Sequence, residues 1–367
     1  MDRTGNIAAL SLTFAAGVAA GSILVAQIMA RYLSPGGLYA ILTCLFIVTL
    51  TILTAACLSR RGGLWKILIL FLFTGIFCAV CSFVSGIGAG TAGSGGIAAG
   101  CADNVRSMLD SIPFPSPRTS PLLKALLTGD KSGLDSHTVA TFRDSGAAHI
   151  LALSGLHLGF IYVILLKVTS LAGMSPRVRK VRSILIVAVS GFYTIATGAS
   201  PSLVRAFLFI VINETARLMH RHVPPVHVLC IALMIQLALT PAVISSIGFQ
   251  MSYLAMAGIF LIYPHLKAWY PGRESGIDLP RKIWNTAALT LSCQILTGPL
   301  AWLRFRTFPL YFLITNLFAL PVTSLLMLLA ICTTALTYIG FCPNLLVTAT
   351  DYAASALLFI MEVIAGL

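Results

Sequence analysis

Ser154 and His157 stand three residues apart in HILALSGLHLG (149–159), and in a helix that spacing puts them on one face. A serine beside a histidine is the beginning of a nucleophile–base pair. Hydrolysis also needs an orienting acid and an oxyanion hole, and the pattern supplies neither. The same residues in an apolar helix can line a polar cavity, because polar groups are costly in lipid and turn toward a bundle interior. A structural role also accounts for them, with Ser154 bonded to its own backbone and His157 to a neighbouring helix.

Arg205 raises a different chemistry. Ser200-Pro201 marks a helix start, an N-cap followed by proline at the first position, so Arg205 lies one turn in. A cation there opposes the helix dipole, by about 0.3–1 kcal/mol if exposed and more if buried, and an anion should offset it. Two anions fit: a phosphate, matched by the planar guanidinium, or a carboxylate of the chain, Asp130 or Asp144. Asn213 follows two turns along the same face, and Glu214 and Arg217, three apart, should pair. Gln250 and Ser252 open one later apolar segment and Asn316 another. With Ser154, His157 and Arg205, four segments then carry polar groups about 5–12 Å from their start, at about 1.5 Å per residue. Independent structural residues have no reason to agree in depth, whereas a cavity open to one side requires it.

Other clusters offer less. His220, His222 and His227 flank Arg221 and Pro224-Pro225, but no cysteine or carboxylate completes a metal set. Cys78-x-x-Cys81 has redox spacing inside an apolar helix, where cysteine behaves as a small hydrophobe. The 9 cysteines, an odd number, do not form a full disulfide framework. Asp351 and Glu362 share a helix face, as helix-end residues or as the lining of a path. There is no G-x-x-x-x-G-K-[ST] loop for ATP and no H-x-H-x-D-H zinc signature. Neither enzyme activity nor a metal or cofactor is expected.

These residues sit in a chain of 367 residues that is 58% hydrophobic and 10% charged, with a mean hydropathy of +0.94. Covering a soluble fold of this size takes about a quarter charged residues. The positioning elements are therefore membrane helices, and the expected fold is all-α and polytopic with about 10–11 crossings. The net charge of +13 is accounted for by basic cytoplasmic loops; it is compatible with a nucleic-acid partner without indicating one.

Apolar spans are expected over 7–30, 38–58, 64–84, 150–167, 183–197, 202–219, 226–247, 249–266, 283–303 and 345–367. The first, flanked by Arg3 and Arg31, reads as a retained anchor rather than a cleaved signal. Gly17-x-x-x-Gly21 and Gly155-x-x-x-Gly159 would let another helix backbone come close. From 309 an apolar segment meets Pro321, which should break it into a re-entrant half-helix or kink a longer span reaching Tyr338. Between the third and fourth spans, 86–100 reads as a Gly/Ala-rich linker and 101–120 as a short helix and a loop fixed by Pro113, Pro115, Pro117 and Pro121. The stretch 135–148 reads as an amphipathic helix on the membrane surface, with Val139 and Phe142 turned down. By alternation, Arg60, Arg61 and Lys66, then Arg177, Arg179, Lys180 and Arg182, Arg217 and Arg221, and Lys267, Arg273, Arg281 and Lys282 share one face. That face is the cytoplasmic one. The N-terminus is then inside and 85–149 outside, with Arg304 and Arg306 as exceptions.

Five stretches carry a family resemblance: LLTGDKSGL (126–134) with Phe142-Arg143, HILALSGLHLG, TGASPSLVRAF (197–207), GFQMSYLAMAGI (248–259) and FLITNLFALPVTSLL (312–326). In this order, over 124–336, they resemble ComEC-type competence proteins, the inner-membrane DNA channels of natural transformation. The resemblance implies an α-helical bacterial inner-membrane channel that passes single-stranded DNA inward and performs no chemistry on it. Ser154, His157, Arg205, Asn213, Gln250, Ser252 and Asn316 would line its path, and Lys131, Arg143, Asp130 and Asp144 its mouth. Phosphate contacts of this kind bind without regard to sequence. Implied partners are single-stranded DNA, the bilayer, and separate DNA-receptor, nuclease and cytoplasmic motor proteins. Relatives carry an OB-like domain near the Gly/Ala-rich linker and a metallo-β-lactamase-like domain after the last spans, for which this sequence has no room. Four regions follow: a three-helix membrane region (1–85), an extracytoplasmic connector (86–123), the channel domain (124–340) and a C-terminal helix (341–367). The alternative is an ion- or solute-coupled transporter using the break at Pro321 with Glu214, Asp351 and Glu362.

Overall fold

The computed structural model describes residues 3–29, 64–84, 97–151, 155–170, 175–270, 279–305 and 311–366, and among them every regular element is a helix. The first nine are α1 (Arg3–Met29), α2 (Leu64–Val84), α3 (Ile97–Ser111), α4 (Thr119–Thr128), α5 (Ser136–Asp144), α6 (Ala148–Leu151), α7 (Gly155–Ser170), α8 (Pro176–Ala196) and α9 (Pro201–Leu218). Then come α10 (Pro225–Leu239), a 3-10 turn, α11 (Ile247–Leu261), α12 (Tyr263–Ala268), α13 (Leu279–Phe305), α14 (Phe312–Tyr338) and α15 (Asn344–Ala365). Among the described residues, five segments are long and apolar enough to cross a membrane: Asn6–Val25, Ile247–Ala268, Pro280–Arg304, Phe312–Tyr338 and Asn344–Ala365. The span expected over 38–58 lies outside the described residues.

The helices gather into two compact units, one within Met1–Gly93 and Met219–Tyr253, the other within Ser94–Leu218 and Leu254–Leu367. In the first, α1 and α2 pack backbone to backbone. A Cβ at Gly17 would collide with the Leu72 carbonyl, and one at Gly21 would lie 2.9 Å from that of Ile76. The Gly17-x-x-x-Gly21 pair thus does what its spacing predicts. Phe14 and Val18 of α1 share a core with Leu237 of α10 and Phe249 and Tyr253 of α11. Tyr253 donates to Gln236 Oε1 at 2.9 Å, so the buried amide oxygen is satisfied.

The second unit has two cores. In one, α7, α8 and α9 enclose Leu158, Ile186, Leu203 and Ile210. The turn from α8 to α9 passes through Gly198 at φ +84, a conformation that glycine adopts without strain. In the other, α14 and α15 pair through small residues, Ala319, Ala330 and Ala354, and a Thr333–Thr350 hydroxyl contact of 2.9 Å. Against that pair sit Leu109 of α3, Leu122, Leu123 and Leu126 of α4, Phe142 of α5 and Ile150 and Leu151 of α6, all buried. A helix as short as α4 is unstable alone; its enclosed leucines hold it.

Three expectations change. α3 begins at Ile97, inside the stretch read as linker, because Ala98, Ala99 and Ala102 favour a helix over the coil their glycine neighbours suggest. The amphipathic helix forms as α5, capped by Asp135. Its Phe142 is enclosed against α15 rather than turned to the bilayer, while Val139 is 41% exposed. Of the two outcomes expected at Pro321, the broken or re-entrant half-helix does not form and the longer span to Tyr338 does, since α14 continues through the proline. A spanning helix tolerates the one hydrogen bond lost at proline when its neighbours hold both sides, and here Ala319, Leu326 and Met327 are all buried.

Candidate functional site

The polar residues of the second unit form three groups, each placed by different helices. Arg205, one turn into α9, is only 8% exposed. It faces Gly155, the first residue of α7, where an added Cβ would stand 3.1 Å from the Arg205 Nη2 and 3.1 Å from Ala206. Its charge also reaches Cys293 of α13, whose thiol donates to the Ala255 carbonyl of α11 at 3.8 Å. A buried cation thus sits where α7 begins, and both that helix end and the cation favour an anion. The carboxylates weighed for this role are held elsewhere, Asp130 by Arg106 at 3.5 Å and Asp144 by Arg143 at 3.1 Å. Of Gly155-x-x-x-Gly159, Gly155 makes the close approach, and a Cβ at Gly159 would meet nothing within 4 Å.

His157 is fully enclosed. At 100° per residue it points about 200° away from Gly155, so the α7 face that meets Arg205 is not the face carrying His157. Phe160 shares the face of His157 and packs on the α14–α15 core. Ser154 lies outside the described residues. On α14, Thr315 donates to the Ser145 carbonyl at 2.6 Å, pinning the turn before α6. Its neighbour Asn316 has a buried Oδ1 with no hydrogen-bond partner, and so does the Thr323 hydroxyl two turns on. An orphaned buried acceptor costs about 1–3 kcal/mol, so this face of α14 is built for polar company. Gln250 and Ser252 belong to the first unit, where Gln250 donates to the Ile244 carbonyl at 2.8 Å and closes the 3-10 turn.

Glu214 of α9 is the hub that spacing foretold only in part. The expected partner Arg217 donates to Oε1 at 2.9 Å; Tyr162 of α7 donates to the same oxygen at 2.8 Å and Ser183 of α8 to Oε2 at 2.7 Å. One buried carboxylate thereby ties three helices, while Asn213 beside it is half-buried. The Tyr162 and Ser183 bonds are long-range and had no signal in the sequence. The same holds for Arg118, which pairs with Glu362 at 3.0 Å.

At the proposed mouth, Lys131, Arg143 and Asp144 are exposed. The Asp130 carboxyl is held below the usual carboxylate range by the Ser132 side chain and backbone N–H, with the charges of Arg106 and Lys124 behind them. Asp135 is lowered by Thr138, and Asp110 by Lys124.

A bundle of apolar helices with an arginine and a glutamate buried inside it is a multi-pass helical membrane protein. Residues 126–367 match the family described as Competence protein, and the chain belongs to that family. It is similar to ComE operon protein 3 of Bacillus subtilis (strain 168), 27% identical over 145 residues that cover 40% of this chain and 18% of that protein. The match therefore spans less than a fifth of that relative's length. No solved structure matches.

Proposed function

We propose that this protein is an inner-membrane channel that passes single-stranded DNA into the cytoplasm during natural transformation. The observation that carries the reading is the Competence protein match over 126–367. Arg205 supports it as a buried guanidinium within that region, facing the start of a membrane helix. A polyanion moving through a low-dielectric bundle needs such a cation, and the planar fork binds phosphate in two places at once. Ser154, His157, Asn213 and Asn316 are proposed as further DNA contacts of the second unit, with Lys131, Arg143, Asp130 and Asp144 as its mouth, and Gln250 and Ser252 as separate contacts of the first. The N-terminus is cytoplasmic and 85–149 extracytoplasmic. DNA-receptor, nuclease and motor functions belong to separate proteins, and this chain performs no hydrolysis.

The carboxylates that a coupled transporter would use are all engaged: Glu214 by three donors, Asp351 by Ser116 and Thr119, Glu362 by Arg118. That favours the channel. The test is uptake of labelled DNA in cells lacking the protein, scored separately for the periplasm and the cytoplasm. DNA should reach the first and not the second. Unchanged cytoplasmic entry, or loss of a small solute's uptake instead, would overturn the reading.

A further inference from the structure

We propose that the end of the α7–α8–α9 bundle near Arg182 holds an anionic phospholipid, its acyl chain between α8 and α9 and its phosphate on Arg182. A groove of about 300 Å³ opens there, walled by Ile184, Val187, Ala188 and Leu218, with Ser183 and Glu214 at its polar end. Ile184 of its wall faces outward, 66% exposed, and Val181, one turn before it on α8, is 65% exposed. In a multi-pass membrane protein such a surface meets acyl chains, which seat in an apolar slot as nucleic acid does not.

Charge selects the headgroup. The first turns of α8 bring Arg177, Arg179, Lys180 and Arg182 together. Glu214 is the sole acidic residue in the sequence between Asp144 and Glu274. Both of its oxygens are occupied, and Arg217 neutralises it. Arg182 is therefore surplus. It lies close enough to act on Tyr162, the Glu214 partner, and its Nε is buried without a hydrogen-bond partner. A guanidinium drawn in beside an acyl-sized groove at a helix end is the arrangement that holds a phosphodiester headgroup. The inference rests on membrane residence alone and stands or falls apart from the DNA reading.

Native mass spectrometry of the full chain released from mixed-lipid nanodiscs tests it. Phosphatidylglycerol should be retained over phosphatidylcholine. Arg182→Gln should lower that retention about fivefold, the share of one arginine at a membrane surface. Ala188→Phe, which fills the slot, should abolish retention of either lipid, and Arg304→Gln, at an exposed arginine of α13, should leave retention unchanged. Circular dichroism of each variant checks that the helices remain, and the wild-type headgroup preference needs no variant at all. Equal retention of both lipids overturns the proposal. So does displacement by millimolar inorganic phosphate, which would mark a bare anion site, or by an oligonucleotide, which would mark a nucleic-acid surface.

Discussion

Thr119, at the start of α4, donates its hydroxyl to the carboxylate of Asp351 in α15, and the Ser116 backbone N–H reaches the same oxygen at 3.1 Å. One helix thus ties down the chain where another begins, 232 residues away in sequence. Asp351→Ala leaves two donors without an acceptor and should cost about 1–3 kcal/mol, whereas Asp351→Asn keeps one acceptor oxygen and should cost less. Thermal unfolding in detergent reads both. Equal midpoints for Asp351→Ala and the parent would remove this tie from the account.

The carboxylates of Asp110, Asp130 and Asp135 tie the α3–α6 region together, and each is lowered, by Lys124, Ser132 and Thr138 respectively. A folded-state value below the unfolded one, about 3.9, means that their stabilisation is complete above that value. It is lost as pH falls through the folded values. Hydrogen exchange over 97–151, corrected for intrinsic rates, should stay level from neutral pH to about 5 and lose protection below about 4. A triple asparagine variant should start less protected and stay flat. A loss between pH 7 and 6 would point to a histidine instead and defeat this assignment.

Much of this fold was legible, and the reasons are physical. A long apolar run has one low-energy form in lipid, the helix, so 64–84 emerges as α2 and 345–367 as α15 to within a few residues. The α3–α6 region was less legible. Its leucines at 122, 123 and 126 are too few to announce a core, and what encloses them comes from α14 and α15, about two hundred residues on. Likewise Glu214–Arg217 is a local pair that spacing reveals. The Tyr162 and Ser183 donors to Glu214, from other helices, leave no trace in spacing. At Pro321, local propensity left a break and a long span to Tyr338 both open, and packing on both sides selects the long span.

Gly155 and Gly159 give a paired test. A methyl at Gly155 presses on Arg205 and Ala206 at 3.1 Å, and at Gly159 it meets open space. Gly155→Ala should therefore reduce DNA uptake by displacing Arg205. Gly159→Ala should leave uptake intact and favour the helix by up to about 1 kcal/mol. Membrane abundance is measured alongside uptake. Loss of uptake in Gly159→Ala alone would mean that the close approach lies one turn further along α7 than Gly155.

Orientation has its own test. Ser132 and Ser175 are both exposed and fall on opposite sides in the proposed topology. In a background free of other reactive thiols, a cysteine at Ser132 should label with an impermeant reagent from outside. One at Ser175 should label only after the membrane is opened. The reverse pattern would invert the channel and its direction.

Arg205 is the residue on which the channel reading turns. Arg205→Gln should leave the protein inserted and impair DNA passage. Arg205→Lys should retain part of it, because the charge stays while the two-point geometry is lost. A purely structural arginine predicts something else: removing the partner of a buried carboxylate costs about 3–5 kcal/mol and should lower abundance. Since Asp130 and Asp144 are bound to Arg106 and Arg143, neutralising either of them together with Arg205 should not restore what Arg205→Gln loses. The two effects should simply add, to within about 0.5 kcal/mol. Uptake and abundance are therefore read together in single and double variants. Rescue by Asp130→Asn or Asp144→Asn would make Arg205 a structural cation, and normal uptake at normal abundance in Arg205→Gln would take it out of the DNA path.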